Sequence, residues 1–312
     1  MSRARAWLLA ARPATLWAAV VPVLVGSGLA WGAGRDLHCP DAEDCLLEIG
    51  VRIFRWDALL ITLVAALAIQ VGTNFANDVA DARRGADTSD RIGPPRVVAE
   101  GILPAGIVWR ATWLAFGLAA LCGLYLAFIA GWAVIAIGVV SILAALGYVG
   151  GPKPYGYAGL GEVFVFIFFG LVATVGSRFV HDGRLPSGEA WRLAIPVGLL
   201  VTAILVVNNI RDIETDAAAG KRTLAVILGR STTARLYAAL VAAAFLLITI
   251  FGTWGIIPRW SLLALAAVPL AIRPTRAVFT ETAGPPLIGA LKATALLHLA
   301  VGVLLAVGAA LG

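Results

Sequence analysis

Two short segments of the chain place paired carboxylates at helical spacing, each where a long apolar run ends. The first, GTNFANDVADARRGADTSDRIGPPR at 72–96, has Asp78 and Asp81 three residues apart, followed by Asp87 and Asp90. The second, NNIRDIETDAAAGKRT at 208–223, has Asp212 and Asp216 four apart. Residues three or four apart are neighbours on a helix surface, so each pair brings like charges together. Such a pair is tolerable beside a membrane only if a cation neutralises it, and for hard oxygen ligands that cation is Mg²⁺ or Ca²⁺. Mg²⁺ is commonly bound through one or two carboxylates together with phosphate oxygens, so the pattern points to phosphate chemistry.

Basic residues follow each pair: Arg83, Arg84, Arg91 and Arg96 in the first segment, Lys221 and Arg222 in the second. Carboxylates that hold a metal, next to Arg or Lys that hold leaving phosphates, suit metal-bridged diphosphate binding. A solvated loop of mixed charge would account for either cluster alone, but less well for both. Asn74, Asn77, Asn208 and Asn209 add amides that can orient carboxylates or cap the helix ends. Gln70 and Asn74 precede Asp78 by two turns and one turn on the same face, and are expected to point into the same cavity.

The elements that must position these residues follow from composition. Of 312 residues 60% are hydrophobic and 13% charged, against a usual charged share of about 25%, which excludes a soluble domain with a polar shell. Unbroken apolar runs of this length close their backbone hydrogen bonds in lipid only as helices, which excludes a β-barrel. The expected fold is all-α and polytopic, one membrane domain over 1–312. Nine spans are expected near 14–34, 57–79, 106–128, 131–149, 159–179, 191–210, 234–252, 259–272 and 287–311. The acidic segments then end the second and sixth spans at one membrane face, 134 residues apart from Asp78 to Asp212. That spacing suggests a four-helix unit used twice plus a ninth helix.

The net charge of +6 would suit nucleic acid in a soluble protein, but here the basic residues gather at helix ends. They report topology, and no nucleic-acid partner is expected; the partner is the lipid bilayer. With the N-terminus inside, 16 of the 24 Lys and Arg residues fall on the cytoplasmic side and 7 outside, with Lys292 within a span. This places the N-terminus and both acidic segments at the cytoplasmic face of the cell membrane and the C-terminus outside. The N-terminal apolar run lacks a following cleavage region and is expected to be retained. Cys39 and Cys45 share an outside loop, where a small disulfide and two free thiols fit equally well; Cys122, inside a span, is expected to pack.

At the level of motifs the chain resembles the UbiA superfamily of intramembrane aromatic prenyltransferases. NDVAD and DIETDAAAG match that family's two aspartate-rich motifs. AARPATLWAAVVPVLVG at 10–26, QVGTNFANDVADARRGADTSDRIGPPR at 70–96, KPYGYAGLGEVFVFIFFG at 153–170 and NNIRDIETDAAAGKRTLAVILG at 208–229 look most like the branch that acts on 1,4-dihydroxy-2-naphthoate. These blocks cover about a quarter of the chain. The first motif departs from NDxxDxxxD, because Gly85 stands where the third Asp would be and Asp87 follows two later, which puts Asp87 in doubt as a ligand.

The resemblance implies a reaction. A polyprenyl diphosphate loses pyrophosphate to give an allylic cation, which the naphthoate ring attacks at the carbon bearing its carboxyl group; CO₂ leaves on the way to demethylmenaquinone. Decarboxylation comes from the resemblance alone. The residues supply matching parts: Mg²⁺ at Asp78 and Asp81, a second ion at Asp212 and Asp216, and Lys221, Arg222, Arg91 and Arg96 for phosphate oxygens. Phe75, Tyr148, Tyr155 and Tyr157 are expected either to stabilise the cation by their ring faces or to be ordinary interfacial aromatics. Arg12 and Lys153 are the basic residues available for the acceptor carboxylate, although snorkelling anchors would look the same. Glu162 is expected either to cap the helix or to line the site, capping being the simpler reading; His298 is read as a packed contact, and His38 and His181 as parts of outside loops. Two rivals stand: another aromatic acceptor, 4-hydroxybenzoate or homogentisate, on the same scaffold, and a small-anion carrier, whose ionisable residues would sit nearer the bilayer midplane.

Overall fold

The chain folds as helices joined by short turns, with no strand among the described residues. The structure is a computed structural model and describes residues 2–35, 54–85, 93, 95–151, 154–186, 188–282 and 284–312. In chain order the helices are α1 (Arg3–Ala11), α2 (Trp17–Arg35), α3 (Trp56–Arg83), α4 (Ala105–Ala130), α5 (Ala133–Val149), α6 (Gly161–Phe179) and α7 (Gly188–Arg211). After them come the short α8 (Ile213–Ala218) and α9 (Leu224–Leu228), then α10 (Arg230–Thr253), α11 (Arg259–Thr280) and α12 (Gly284–Leu311).

Each of the nine expected apolar stretches is helical, but the count of spans differs. Among the described residues seven helices are long and apolar enough to cross a membrane: α3, α4, α6, α7, α10, α11 and α12. An eighth is reached by joining the segments Arg3–Thr15 and Trp17–Ala33, which meet at a bend of 51°. The bend has a local cause. Arg12 takes the left-handed conformation, φ 52°, and precedes Pro13, whose ring disfavours helical backbone in the residue before it. The first span therefore does not begin at 14 as expected but follows a separate N-terminal helix. α5 has 17 residues, about 25 Å of helix and short of a hydrocarbon core about 30 Å thick. Gly131, at φ 102°, and Gly151, at φ 76°, bracket it. α11 runs to Thr280, past the expected end at 272, and begins as a 3₁₀ helix over Arg259–Ala267.

α7 is the axis of the larger core, with Leu193, Leu200, Val207 and Ile210 fully enclosed by residues of α2, α6, α10 and α12. Lipid supplies no hydrophobic drive between helices, so their association rests on close packing at small residues. Gly170 of α6 meets Gly198 of α7 so closely that a Cβ on Gly170 would lie 2.4 Å from the Gly198 Cα. α2 and α12 touch in the same way, where a Cβ on Gly28 would lie 2.4 Å from the Ala306 carbonyl oxygen. A second core joins α1, α3 and the start of α4 around Phe75, Val79, Val97 and Val108. In it Phe75 packs edge-on against Trp7, 5.4 Å between centroids, so it is a core residue and not part of a cation-stabilising wall. Cys122 is buried, as expected. Cys39, Cys45 and His38 lie outside the described residues.

His181 follows α6 in a tight turn. The sequence reads it as a loop residue, yet it is buried, stacked on Phe54 at 4.7 Å, with Nε2 2.9 Å from the Ser27 hydroxyl. Burial, with help from the Arg178 charge, pushes its pKa down to about 4. The folded state thus favours the neutral ring. That contribution is complete above the ordinary value near 6.5 and is lost as pH falls towards 4, because the unfolded chain takes up the proton first. Thermal unfolding in detergent is expected to drop over this window, with a shallower drop for His181→Gln; identical slopes for the two proteins would contradict it.

Candidate active site

A cavity of about 360 Å³ opens among α2, α3, α5, α6 and α7, with Ala119, Gly123 and Leu126 of α4 on its wall. On α3 its lining runs from Thr62 to Asp81, 19 residue steps or about 28 Å of helix rise, close to the thickness of the hydrocarbon core. Most of the wall is Ala, Gly, Val, Ile and Phe. Its charged residues belong to one end: Asp81, Asp212, Asp216, Arg12, Arg96 and Lys221.

The two acidic segments, far apart in sequence, meet at that end. Lys221 Nζ lies 3.2 Å from Asp81 Oδ1 and 3.8 Å from Asp216 Oδ1, so those two oxygens are no more than 7.0 Å apart. Arg96 reaches both acids of the first pair, Nη1 at 3.7 Å from Asp78 Oδ1 and Nη2 at 3.5 Å from Asp81 Oδ2. Asp78 and Asp81 do share a face, but their surroundings differ. Asp81 lines the cavity, whereas Asp78 is buried behind it and accepts the backbone N–H of Val98 at 3.2 Å. Asp212 accepts a two-pronged contact from its neighbour Arg211, Nε at 2.7 Å and Nη2 at 2.5 Å.

The amides are also placed. Asn74 donates to the Ala11 carbonyl at 2.8 Å and to the Thr15 hydroxyl at 3.2 Å, and Gln70 donates to the same hydroxyl at 3.3 Å. Both line the cavity and tie the first bend to α3. Asn208 accepts from Arg211 at 3.0 Å. Asn209 donates to Glu162 at 2.8 Å; Glu162 is buried in the first turn of α6 and does not line the cavity. Gln70 Oε1 and Asn77 Oδ1, like Thr62 Oγ1 further along the cavity, are buried oxygens of lining residues with no hydrogen-bond partner among the described residues. An unpartnered buried oxygen one turn before Asp81 suits a hard cation, as do the carboxylates around it. The donors present therefore fit Mg²⁺ held by one or two carboxylates together with phosphate oxygens; among the described residues no three acidic side chains gather into a closed metal cage.

Tyr148, Tyr155 and Tyr157 line the cavity near its charged end, and Phe164 and Phe168 continue the wall, with Tyr155 stacked on Phe164 at 3.8 Å. They are cavity residues and not lipid-facing anchors. A π-helical stretch, Phe166–Val172, interrupts α6 at this wall; such segments recur at functional sites. Burial and the Asp81 charge raise the Tyr157 phenol above its ordinary value, so it is a donor to Asp81 at 2.5 Å.

Several expected phosphate ligands are employed elsewhere. Arg84 donates to the carbonyls of Val149 and Gly151, closing the exposed end of α5, and lies over the Tyr157 ring. Arg83 stacks on Trp109. Arg222 is exposed and does not line the cavity; its backbone N–H bonds to the Tyr157 carbonyl at 3.0 Å. Asp87, Asp90, Arg91 and Lys153 lie outside the described residues. Arg211 is the residue sequence reading missed, counted only as a topology signal. The clue was present, since an Arg beside an Asp at the end of an apolar run is costly unless the two are paired.

Comparison with known proteins then decides the family. The sequence pattern of the UbiA prenyltransferase family matches residues 19–286. The chain belongs to the UbiA prenyltransferase family. Among its relatives in that family, the 1,4-dihydroxy-2-naphthoate octaprenyltransferase of Mycobacterium tuberculosis is 38% identical over 290 residues, covering 93% of this chain and 91% of the relative. Two solved structures share the UbiA fold at low identity. The apo UbiA homologue of Aeropyrum pernix has a TM-score of 0.67 at 16% identity, over 94% of this chain and 96% of that one. The Archaeoglobus fulgidus homologue bound to DMAPP and Mg²⁺ has a TM-score of 0.62 at 15% identity, over 95% and 97%. With its apolar helices, the UbiA-family chain is a multi-pass membrane prenyltransferase.

Proposed function

We propose that the chain transfers a polyprenyl group from an isoprenyl diphosphate to 1,4-dihydroxy-2-naphthoate, with loss of pyrophosphate and CO₂, to give demethylmenaquinone in its quinol form. The observation that carries the reading is the long apolar cavity with both aspartate segments at one end, in a chain so similar to a named naphthoate octaprenyltransferase. Mg²⁺, which the Archaeoglobus fulgidus homologue binds together with DMAPP, would be held by Asp78 and Asp81 and by Asp212 and Asp216, and supplies charge to stabilise a leaving pyrophosphate.

The chain's own residues do the rest. Lys221 and Arg96, already beside the carboxylates, are suited to phosphate oxygens, and Arg91 and Arg222 keep a lesser claim by sequence. The apolar wall takes the prenyl tail and keeps water from the allylic carbon once its bond to oxygen breaks. Tyr148 and Tyr155 present ring faces or edges that favour a cation without capturing it. Arg12, at the cavity wall, is placed for the acceptor carboxylate, with Lys153 as the second candidate; Gln70 Oε1 is an acceptor for a naphthol hydroxyl. The C–C bond forms at the carboxyl-bearing carbon, and departure of CO₂ restores the aromatic ring.

The charged end faces the cytoplasm in this reading, with the N-terminus inside; the C-terminus lies outside when the short α5 also crosses, as a ninth span. The carrier reading is not favoured, because the acids gather at one end of the cavity. An acceptor panel tests the assignment: with one polyprenyl diphosphate, purified protein is expected to consume 1,4-dihydroxy-2-naphthoate and leave 4-hydroxybenzoate and homogentisate unprenylated. Faster turnover of either of the others would move the assignment to it.

A further inference from the structure

Tyr157 sits where three segments converge, and the reaction as described gives it no role of its own. Its hydroxyl donates to Asp81 Oδ1 at 2.5 Å. Two cations lie over its ring, Lys221 Nζ at 4.8 Å and the Arg84 guanidinium at 5.2 Å from the centroid. Its carbonyl accepts the Arg222 N–H at 3.0 Å. One residue of the turn Tyr155–Tyr157 thus touches the end of α3, which carries the first aspartate pair, and the loop after α8, which follows the second. Arg84 adds a rigid support, because its guanidinium is fixed on the carbonyls at the end of α5.

We propose that Tyr157 is the positioning residue that fixes the Asp81 carboxylate and holds the Lys221 loop against it, so that both aspartate segments meet one diphosphate. The inference rests on the prenyl-transfer reading and deepens it. A carboxylate on a helix end can rotate about its last torsion, and a short phenol donor to one oxygen orients the other towards the cavity. The ring acts separately, by holding a Lys ammonium that would otherwise sample many rotamers. The two contributions are separable, since Tyr157→Phe deletes the hydroxyl and keeps the ring, whereas Tyr157→Leu deletes both.

Binding of Mn²⁺ in the presence of inorganic pyrophosphate, followed by the loss of free-ion EPR signal from the full chain in nanodiscs, reads the first contribution without turnover. Tyr157→Phe is expected to weaken that binding about tenfold and to lower kcat about tenfold, with KM for the prenyl diphosphate within about twofold of wild type. Tyr157→Leu is expected to raise that KM about fivefold in addition. Combining Tyr157→Phe with Asp81→Asn should weaken Mn²⁺ binding no further than Asp81→Asn alone, because the hydroxyl acts through that carboxylate. Tyr157→Phe with wild-type Mn²⁺ binding, or additive losses in the double variant, would overturn the proposal even if turnover fell. Wild-type protein that binds Mn²⁺ and pyrophosphate but prenylates no naphthoate would overturn the acceptor assignment, and the binding comparison would still decide the part played by Tyr157.

Discussion

Asp81→Asn is expected to lower kcat by on the order of 10³ while the protein remains folded in the membrane. The reason lies in what surrounds this carboxylate. Asp81 is the acid that contacts Lys221, Arg96 and Tyr157 together, and Lys221 also reaches Asp216 across the gap between the segments. An amide keeps the shape and can still accept from Tyr157, so the packing of α3 is undisturbed. It removes the charge that a divalent cation and its pyrophosphate require. Asp78→Asn is expected to be nearly as damaging for a different reason, since Asp78 also holds the Val98 N–H and with it the turn carrying Arg96. Turnover by purified protein, with thermal unfolding measured on the same sample, separates the two. More than about a tenth of wild-type activity in Asp81→Asn would argue against its role.

Removal of divalent cations is expected to stop prenyl transfer reversibly, by more than about a hundredfold, with recovery on adding Mg²⁺. The cations of the chain itself do not substitute. Arg96 and Lys221 neutralise the carboxylates, but each is a single charge on a side chain already shared between two acids. A leaving pyrophosphate gathers several negative charges on a few oxygens, and a compact divalent ion stabilises these far better. Turnover at the wild-type rate after EDTA treatment would mean that the paired carboxylates serve another purpose.

The parts of this site that were legible in the sequence are those where chemistry conflicts with lipid. Carboxylates are expensive at a membrane, so Asp78, Asp81, Asp212 and Asp216 announced themselves, and the structure brings Asp81, Asp212 and Asp216 to the wall of one cavity, with Asp78 buried behind it. Apolar runs identified all nine helical stretches, because helices alone satisfy the backbone in lipid. The number of spans was less legible: it depends on where Arg12 and Pro13 bend the chain and on two glycines that cut α5 to 17 residues. Roles of basic residues were hardest to read. Arg83, Arg84 and Lys221 look alike in sequence, yet Arg84 closes α5, Arg83 rests on Trp109, and Lys221 faces the acids. Those destinations are set by contacts such as those of Arg84 with Val149 and Tyr157, which lie 65 and 73 positions further along the chain. Local spacing carries no information about contacts of that kind.

Purified protein incubated with 1,4-dihydroxy-2-naphthoate labelled at its carboxyl carbon, a long-chain polyprenyl diphosphate and Mg²⁺ reports prenyl transfer and decarboxylation in one reaction. Prenylated naphthoquinol and labelled CO₂ are expected in equal amounts. Prenyl diphosphate consumed without CO₂ release, or no prenylated naphthalene product from folded protein, would contradict the proposed function.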